Sequence, residues 1–242
     1  MKKRLFFLAA AFAGIFSFVS CDGIDLFDDD DNPLEGLLGS ATIVVNKDGV
    51  NDTIKYKSSI VDSFSKIDSL DNEKKATVGL CANVNLSESN ASLQFPFMYF
   101  RLEDTVTGNY QFDTVLSADL LLNLNFEAMS NILADPYGGN MVVLAESDTA
   151  WYLSHAGSLT ISKYPSVGHF VECTFNNVEA FYITQSGIDR FNTDLNNMDF
   201  SHANDLGYYF KNATISGNTS SRRTTIVSRL IKTAFEDGGL TK

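Results

Sequence analysis

The sequence predicts a mainly β protein, an antiparallel sandwich or barrel with one or two short helices. Three observations carry that expectation. Apolar residues in the body of the chain alternate with polar ones at a period of two more often than they recur at helical spacing. Clusters of Gly, Asn, Asp and Ser separate the runs. The β-α-β alternation that builds a parallel, doubly wound sheet is absent, which sets aside a dinucleotide-binding type of fold. With 44% apolar side chains in 242 residues, the chain has enough material for a buried core.

The elements follow in order. Strands are expected over Ala41 to Asn46, Thr53 to Ser58, Ala76 to Asn83, Ser92 to Glu103 and Asn109 to Thr114. Further strands are expected over Met141 to Glu146, Thr149 to Ser154, Ser158 to Tyr164, His169 to Asn176 and Val178 to Tyr182. Between the first two, Asp48-Gly49 tolerates positive φ and predicts a tight antiparallel hairpin. Asp119 to Ala134 reads as a strand leading into a short helix that Asp135-Pro136 stops. Ile188, Phe191 and Leu195 recur at helical intervals, so Ser186 to Asn197 is expected as a helix capped by Ser186, lying over one end of the fold. Tyr208 to Ile215 returns to strand, and Thr224 to Phe235 reads as a last strand or a short amphipathic helix. No repeat or linker divides this body, so residues 40–242 are expected as one domain, sandwich or calycin-like barrel.

The front of the chain reads as an address. Lys2, Lys3 and Arg4 precede an apolar stretch, Leu5 to Val19, that is short for the roughly 20 residues a spanning helix needs. Its end, Phe18-Val19-Ser20-Cys21, resembles a bacterial lipobox, which implies removal of residues 1–20 and lipidation of Cys21. Each buried acyl CH₂ adds roughly 0.8 kcal/mol, so several chains on one residue hold a protein on a membrane without a spanning helix. Residues 21–39 carry Asp22, Asp25 and the run Asp28 to Asp31, a self-repelling segment expected to act as an acidic tether. Acidic residues behind the cysteine resemble the surface-export signal of Bacteroidota lipoproteins, which favours the cell surface over the periplasmic face of the outer membrane.

Two further resemblances point to the same bacterial group. Gly157-Ser158-Leu159-Thr160-Ile161-Ser162-Lys163-Tyr164, followed by Val171-Glu172-Cys173-Thr174-Phe175, resembles a hairpin recurrent in β-rich Bacteroidota lipoprotein domains of unknown function, with Cys173 where Gly is usual. That resemblance implies fold and location and supplies no catalytic residue. Five Asp-Ser/Thr-aliphatic tripeptides resemble the Bacteroides O-glycosylation acceptor, which nominates Thr53, Ser69, Thr105, Thr114 and Thr149.

Chemistry is sparse by comparison. A formal charge of -12 argues against a general nucleic-acid surface. Nucleophile elbow, Walker loop, Rossmann glycine and H-E-x-x-H motifs are missing, and no cofactor or metal is expected. His155, His169 and His202 stand far apart, and Asp48 with Asp52 lacks the order of a calcium loop. Cys81 and Cys173 form an even pair in a compartment that permits disulfides, so a bridge is one reading and two packed thiols the other. Trp151, Tyr152, Tyr164 and Tyr182, with Tyr208 and Tyr209, supply flat faces for a ligand. Trp151 and Tyr152 are neighbours, so on a strand one points inward and the other outward.

The expectation is therefore a lipid-anchored cell-envelope protein that binds or scaffolds without catalysis. Its partners would be the membrane through its anchor, and a glycan, a small apolar molecule or another envelope protein. The alternatives are a surface hydrolase acting on glycans or peptides, and an adhesin or pilus-like subunit.

Overall fold

A computed structural model of the chain describes residues 38–67, 74–86, 91–102, 107–112, 140–202 and 205–225. Among these residues nine strands follow one another as β1 (Gly39–Lys47), β2 (Val50–Ile67), β3 (Lys74–Leu86), β4 (Ala91–Leu102), β5 (Gly108–Gln111), β6 (Met141–Ser147), β7 (Ala150–Lys163), β8 (Phe170–Thr184) and β9 (Lys211–Arg223). Two helices, α1 (Gln185–Asn196) and α2 (Leu206–Tyr209), lie between β8 and β9. Local chemistry accounts for the joins. The β1–β2 hairpin turns through Asp48 (φ 56) and Gly49 (φ 80), the left-handed pair that a two-residue type I′ turn requires.

The sheet is antiparallel and closes on itself. Each strand pairs with the next around a ring, β1-β2-β3-β4-β6-β7-β8-β9, and β9 returns to β1. Beyond the start of β1 its two neighbours meet directly, where Ile60 and Val61 of β2 pair with Arg222 and Arg223 of β9. The lane between β4 and β7 is filled by two pieces. β6 pairs with the first half of β7, and β5 pairs with Ser158 to Ile161 farther on. Phe112 N donates to Gly157 O at 2.9 Å and Asn140 Nδ2 to Gln111 O at 3.0 Å, which aligns the two pieces end to end. Of the two architectures expected from the sequence, the ring of pairings is the barrel.

Closure defines an inside. One apolar cluster draws on every lane, including Ala41, Ile43, Val45, Tyr56, Met98, Phe100, Leu144, Tyr152, Phe175, Val178 and Ile215. Phe100 and Phe175 meet edge to face with centroids 5.6 Å apart, although two lanes separate β4 from β8, so the rings meet across the interior. The second cluster lies on the opposite face of β4, β6 and β7, with Phe97, Tyr99, Val143, Ala145, Trp151 and Leu153. The helices join this outer layer through Ile188, Phe191, Tyr209 and Phe210. Each such fully buried large side chain contributes about 1.5–3 kcal/mol of transfer free energy.

Several expectations are corrected by long-range pairing. Thr149 to Ser154 and Ser158 to Tyr164 are one bent strand, β7, because Gly157 (φ 95) takes up the irregularity; a Cβ there would stand 2.6 Å from Asn177 O. His169 to Asn176 and Val178 to Tyr182 likewise merge into β8, with the facing bulge at Asn177 (φ 47). The helix cap is Thr184, whose Oγ1 accepts the Gly187 N–H at 3.3 Å, while Ser186 sits inside the first turn. α1 packs its apolar side onto the outer face of the wall instead of covering the mouth. Tyr208 and Tyr209 belong to α2, and the strand begins only at Lys211. The expected strand and helix over Asp119 to Ala134, most of Thr224 to Phe235, and residues 1–37 with the signal, Cys21 and the tether lie outside the described residues.

Candidate functional site

The barrel has two ends with different chemistry. β1 enters and β9 leaves at the near pole, whereas β1, β6 and β8 end, and β7 and β9 begin, at the far pole. The inward-facing positions continue to that far rim by strand alternation. Lys47 follows Ala41, Ile43 and Val45; Glu146 follows Val142 and Leu144; Tyr182 follows Val178 and Ala180; Asp52 precedes Ile54 and Tyr56. The apolar interior therefore ends in a rim of charged and aromatic side chains.

At the rim Tyr152 and Tyr182 are cross-strand partners, with ring centroids 4.6 Å apart and a tilt of 33°. Lys47 Nζ lies 3.7 Å from the centroid of Tyr182 and 5.6 Å from that of Tyr152, a cation–π contact on one side of the pair. The Tyr182 hydroxyl donates to Glu146 Oε2 at 2.6 Å. Beside them Lys211 Nζ pairs with Asp48 at 2.7 Å across an exposed gap. Burial, followed by the hydrogen bond and charge of Glu146, pushes the Tyr182 phenol up to about 12, with Lys47 opposing. Tyr152 is also pushed up to about 12, first by burial and then by Glu146 and Asp52. Both phenols are neutral hydrogen-bonding groups at physiological pH.

The other nominated aromatics go elsewhere. Trp151 is 2% exposed and belongs to the outer core, as neighbour alternation with the inward Tyr152 requires. Tyr164 is at the near pole, where the Arg223 guanidinium lies 4.4 Å from its ring centroid. The four residues therefore do not form one platform; only Tyr152 and Tyr182 are brought together. Sequence reading missed Lys47 and Glu146, whose only signal was their place at the ends of alternating strands.

The remaining nominations are placed as follows. Cys173 is a free buried thiol on β8, and β3, which carries Cys81, stands on the opposite side of the ring. Burial pushes this thiol up to about 12. Thr53 and Thr149 are exposed, as an acceptor must be, whereas Ser69, Thr105 and Thr114 lie outside the described residues. His155 stacks on Phe181 at 4.2 Å, His202 on Tyr208 at 3.7 Å, and His169 meets Ser166 at 3.3 Å. They stand in three separate places, and among the described residues no three ligating groups converge on a metal position. No described helix is long and apolar enough to cross a membrane. No family model, curated protein or solved structure matches the chain.

Proposed function

We propose that this protein is a lipid-anchored binding protein of a Bacteroidota cell envelope, held through Cys21, that takes a glycan at the far rim of its barrel. The observation that carries the reading is Tyr182, half-buried at that rim, with an ammonium group on its ring and a carboxylate on its hydroxyl. A sugar needs an aromatic surface for its C–H groups together with donors and acceptors for its hydroxyls, and Tyr182, Lys47 and Glu146 offer these within one cluster. The first strand enters the barrel at the near pole, the end opposite this rim.

The competing readings have less support. Phe100 and Phe175 meet where an enclosed apolar ligand would sit. Among the described residues the closed ring gives β1 to β4 and β6 to β9 a partner on both sides, which leaves little of the free edge that a strand-exchanging subunit uses. For a hydrolase two carboxylates must flank the scissile bond, and here Glu146 already accepts from Tyr182 while Asp48 is held by Lys211.

The test is a glycan array probed with the mature lipoprotein in detergent, followed by titration of its best binder. Tyr182→Ala should weaken that binder at least about tenfold, the order expected for a central aromatic contact. Binding that is indifferent to Tyr182→Ala, or an array without binders, overturns the glycan reading. Release of Cys21→Ser from the membrane fraction tests the anchor, and shaving of intact cells with protease tests the surface location.

A further inference from the structure

The α1–α2 connection presents an apolar surface that the rim does not use. Met198 is 80% exposed, Phe200 63% and Tyr208 43%, and they occur within eleven residues of sequence. Scattered exposed apolar residues need no explanation, but three large ones on one short segment mark a contact surface. The segment is braced. Asn197 N donates to Thr193 O at 3.0 Å, Met198 N to Leu195 O at 3.0 Å and Asp199 N to Asp194 O at 2.8 Å, continuing the turns of α1 into the tip. The Asp199 carboxylate accepts from both the backbone N–H and the hydroxyl of Ser201, which holds it below the usual carboxylate range. Beneath, Tyr209 donates its hydroxyl to Asp194 at 2.9 Å and meets Phe191 edge to face at 5.1 Å. Gly187 lets α2 approach α1 closely, since a Cβ there would stand 2.8 Å from the Phe210 ring.

The charges around these side chains identify what can cover them. Asp199 lies between Met198 and Phe200, and Asp205 precedes α2 without a side-chain cap bond of its own. The nearby cations are drawn onto Tyr208: His202 stacks on its ring at 3.7 Å and 9°, and the Arg190 guanidinium lies 4.3 Å from its centroid. Arg190 is itself exposed, but Asp189, Asp194, Asp199 and Asp205 outnumber it over residues 185–210, so the charge around the apolar residues is acidic on balance. An anionic membrane is repelled by such a rim, and a second copy would set acid against acid.

We propose that the α1–α2 tip is a docking knob whose Met198, Phe200 and Tyr208 enter an apolar pocket rimmed by lysine or arginine on a different protein. A photo-crosslinking amino acid in place of Met198 in the full lipoprotein, irradiated in cells, should give one discrete adduct. The same group in place of Val167, 50% exposed between β7 and β8 at the near pole, should give none. The purified partner should then bind the unlabelled lipoprotein at least about fivefold more weakly when salt rises from roughly 0.05 to 0.5 M, and likewise for the variant Asp199→Asn with Asp205→Asn. Asparagine keeps an oxygen for Ser201, so that variant leaves the turn intact. An adduct of twice the chain mass, a lipid adduct or no adduct overturns the docking knob. Affinity indifferent to salt and to the neutral variant overturns the basic-rimmed partner. Tyr182→Ala should leave the adduct unchanged, so failure of the glycan site and failure of the knob are read separately.

Discussion

Closure of the barrel can be tested through one aromatic pair. Phe100 sits on β4 and Phe175 on β8, with β6 and β7 between them around the ring, yet their rings meet at 5.6 Å and 74°. Both are fully buried, at 0% and 2% exposure. Truncation of either to Ala removes a whole ring from a close-packed interior and should cost about 3–5 kcal/mol. At about 2–4 °C per kcal/mol for a domain of this size, the melting temperature should fall by about 6–20 °C. The decisive measurement is a double-mutant cycle with the milder Phe100→Leu and Phe175→Leu, each expected to cost under about 1.5 kcal/mol. Urea unfolding, followed through the fluorescence of the single buried Trp151, should return a coupling of about 0.5–1.5 kcal/mol between them. Additivity within about 0.3 kcal/mol would mean that the rings do not touch, and the ring of strands would not be closed as described.

Further outcomes follow from other contacts. Gly217→Ala places a Cβ 2.2 Å from Thr42 O at a φ of 151°, so it should open the β1–β9 seam and cost about 1–3 kcal/mol or more in the same unfolding assay; an unchanged midpoint would contradict that close approach. Glu146→Gln removes the charge that helps to keep the Tyr182 and Tyr152 phenols protonated, so ultraviolet titration should show these two tyrosines moving down from about 12, Tyr182 the further because it also bonds Glu146. Because the folded-state value lies above the unfolded one, the contribution of Tyr182 to stability is complete below pH 10 and is lost as pH rises from 10 through 12. Unfolding midpoints that stay flat across that window would refute the assignment. Cys173 should resist a thiol reagent in the native protein and react on unfolding without any reductant, whereas a reductant requirement would reveal a bridge.

Much of the fold was legible because its signals are local. Asp48-Gly49 marks the β1–β2 turn by the φ values those residues tolerate. The spacing of Ile188, Phe191 and Leu195 marks α1, and adjacency placed Trp151 and Tyr152 on opposite faces of β7. Boundaries failed where pairing with distant residues outweighed local punctuation, as at Gly157 in β7 and Asn177 in β8. The Tyr208 to Ile215 run failed because Tyr208 and Tyr209 have nearby helix partners in Arg190 and Phe191.

Alternation in the amino-acid order determined that there would be strands and which residues share a side. Only the tertiary structure decided which side is enclosed, because that depends on β9 finding β1 across the length of the chain. The same long-range pairing carried Cys173 to the far side of the ring from β3. It also set Lys47 and Glu146, separated by many residues in sequence, against the same tyrosine. Periodicity is a property of neighbours along the chain, whereas enclosure and convergence arise from contacts that no local pattern encodes.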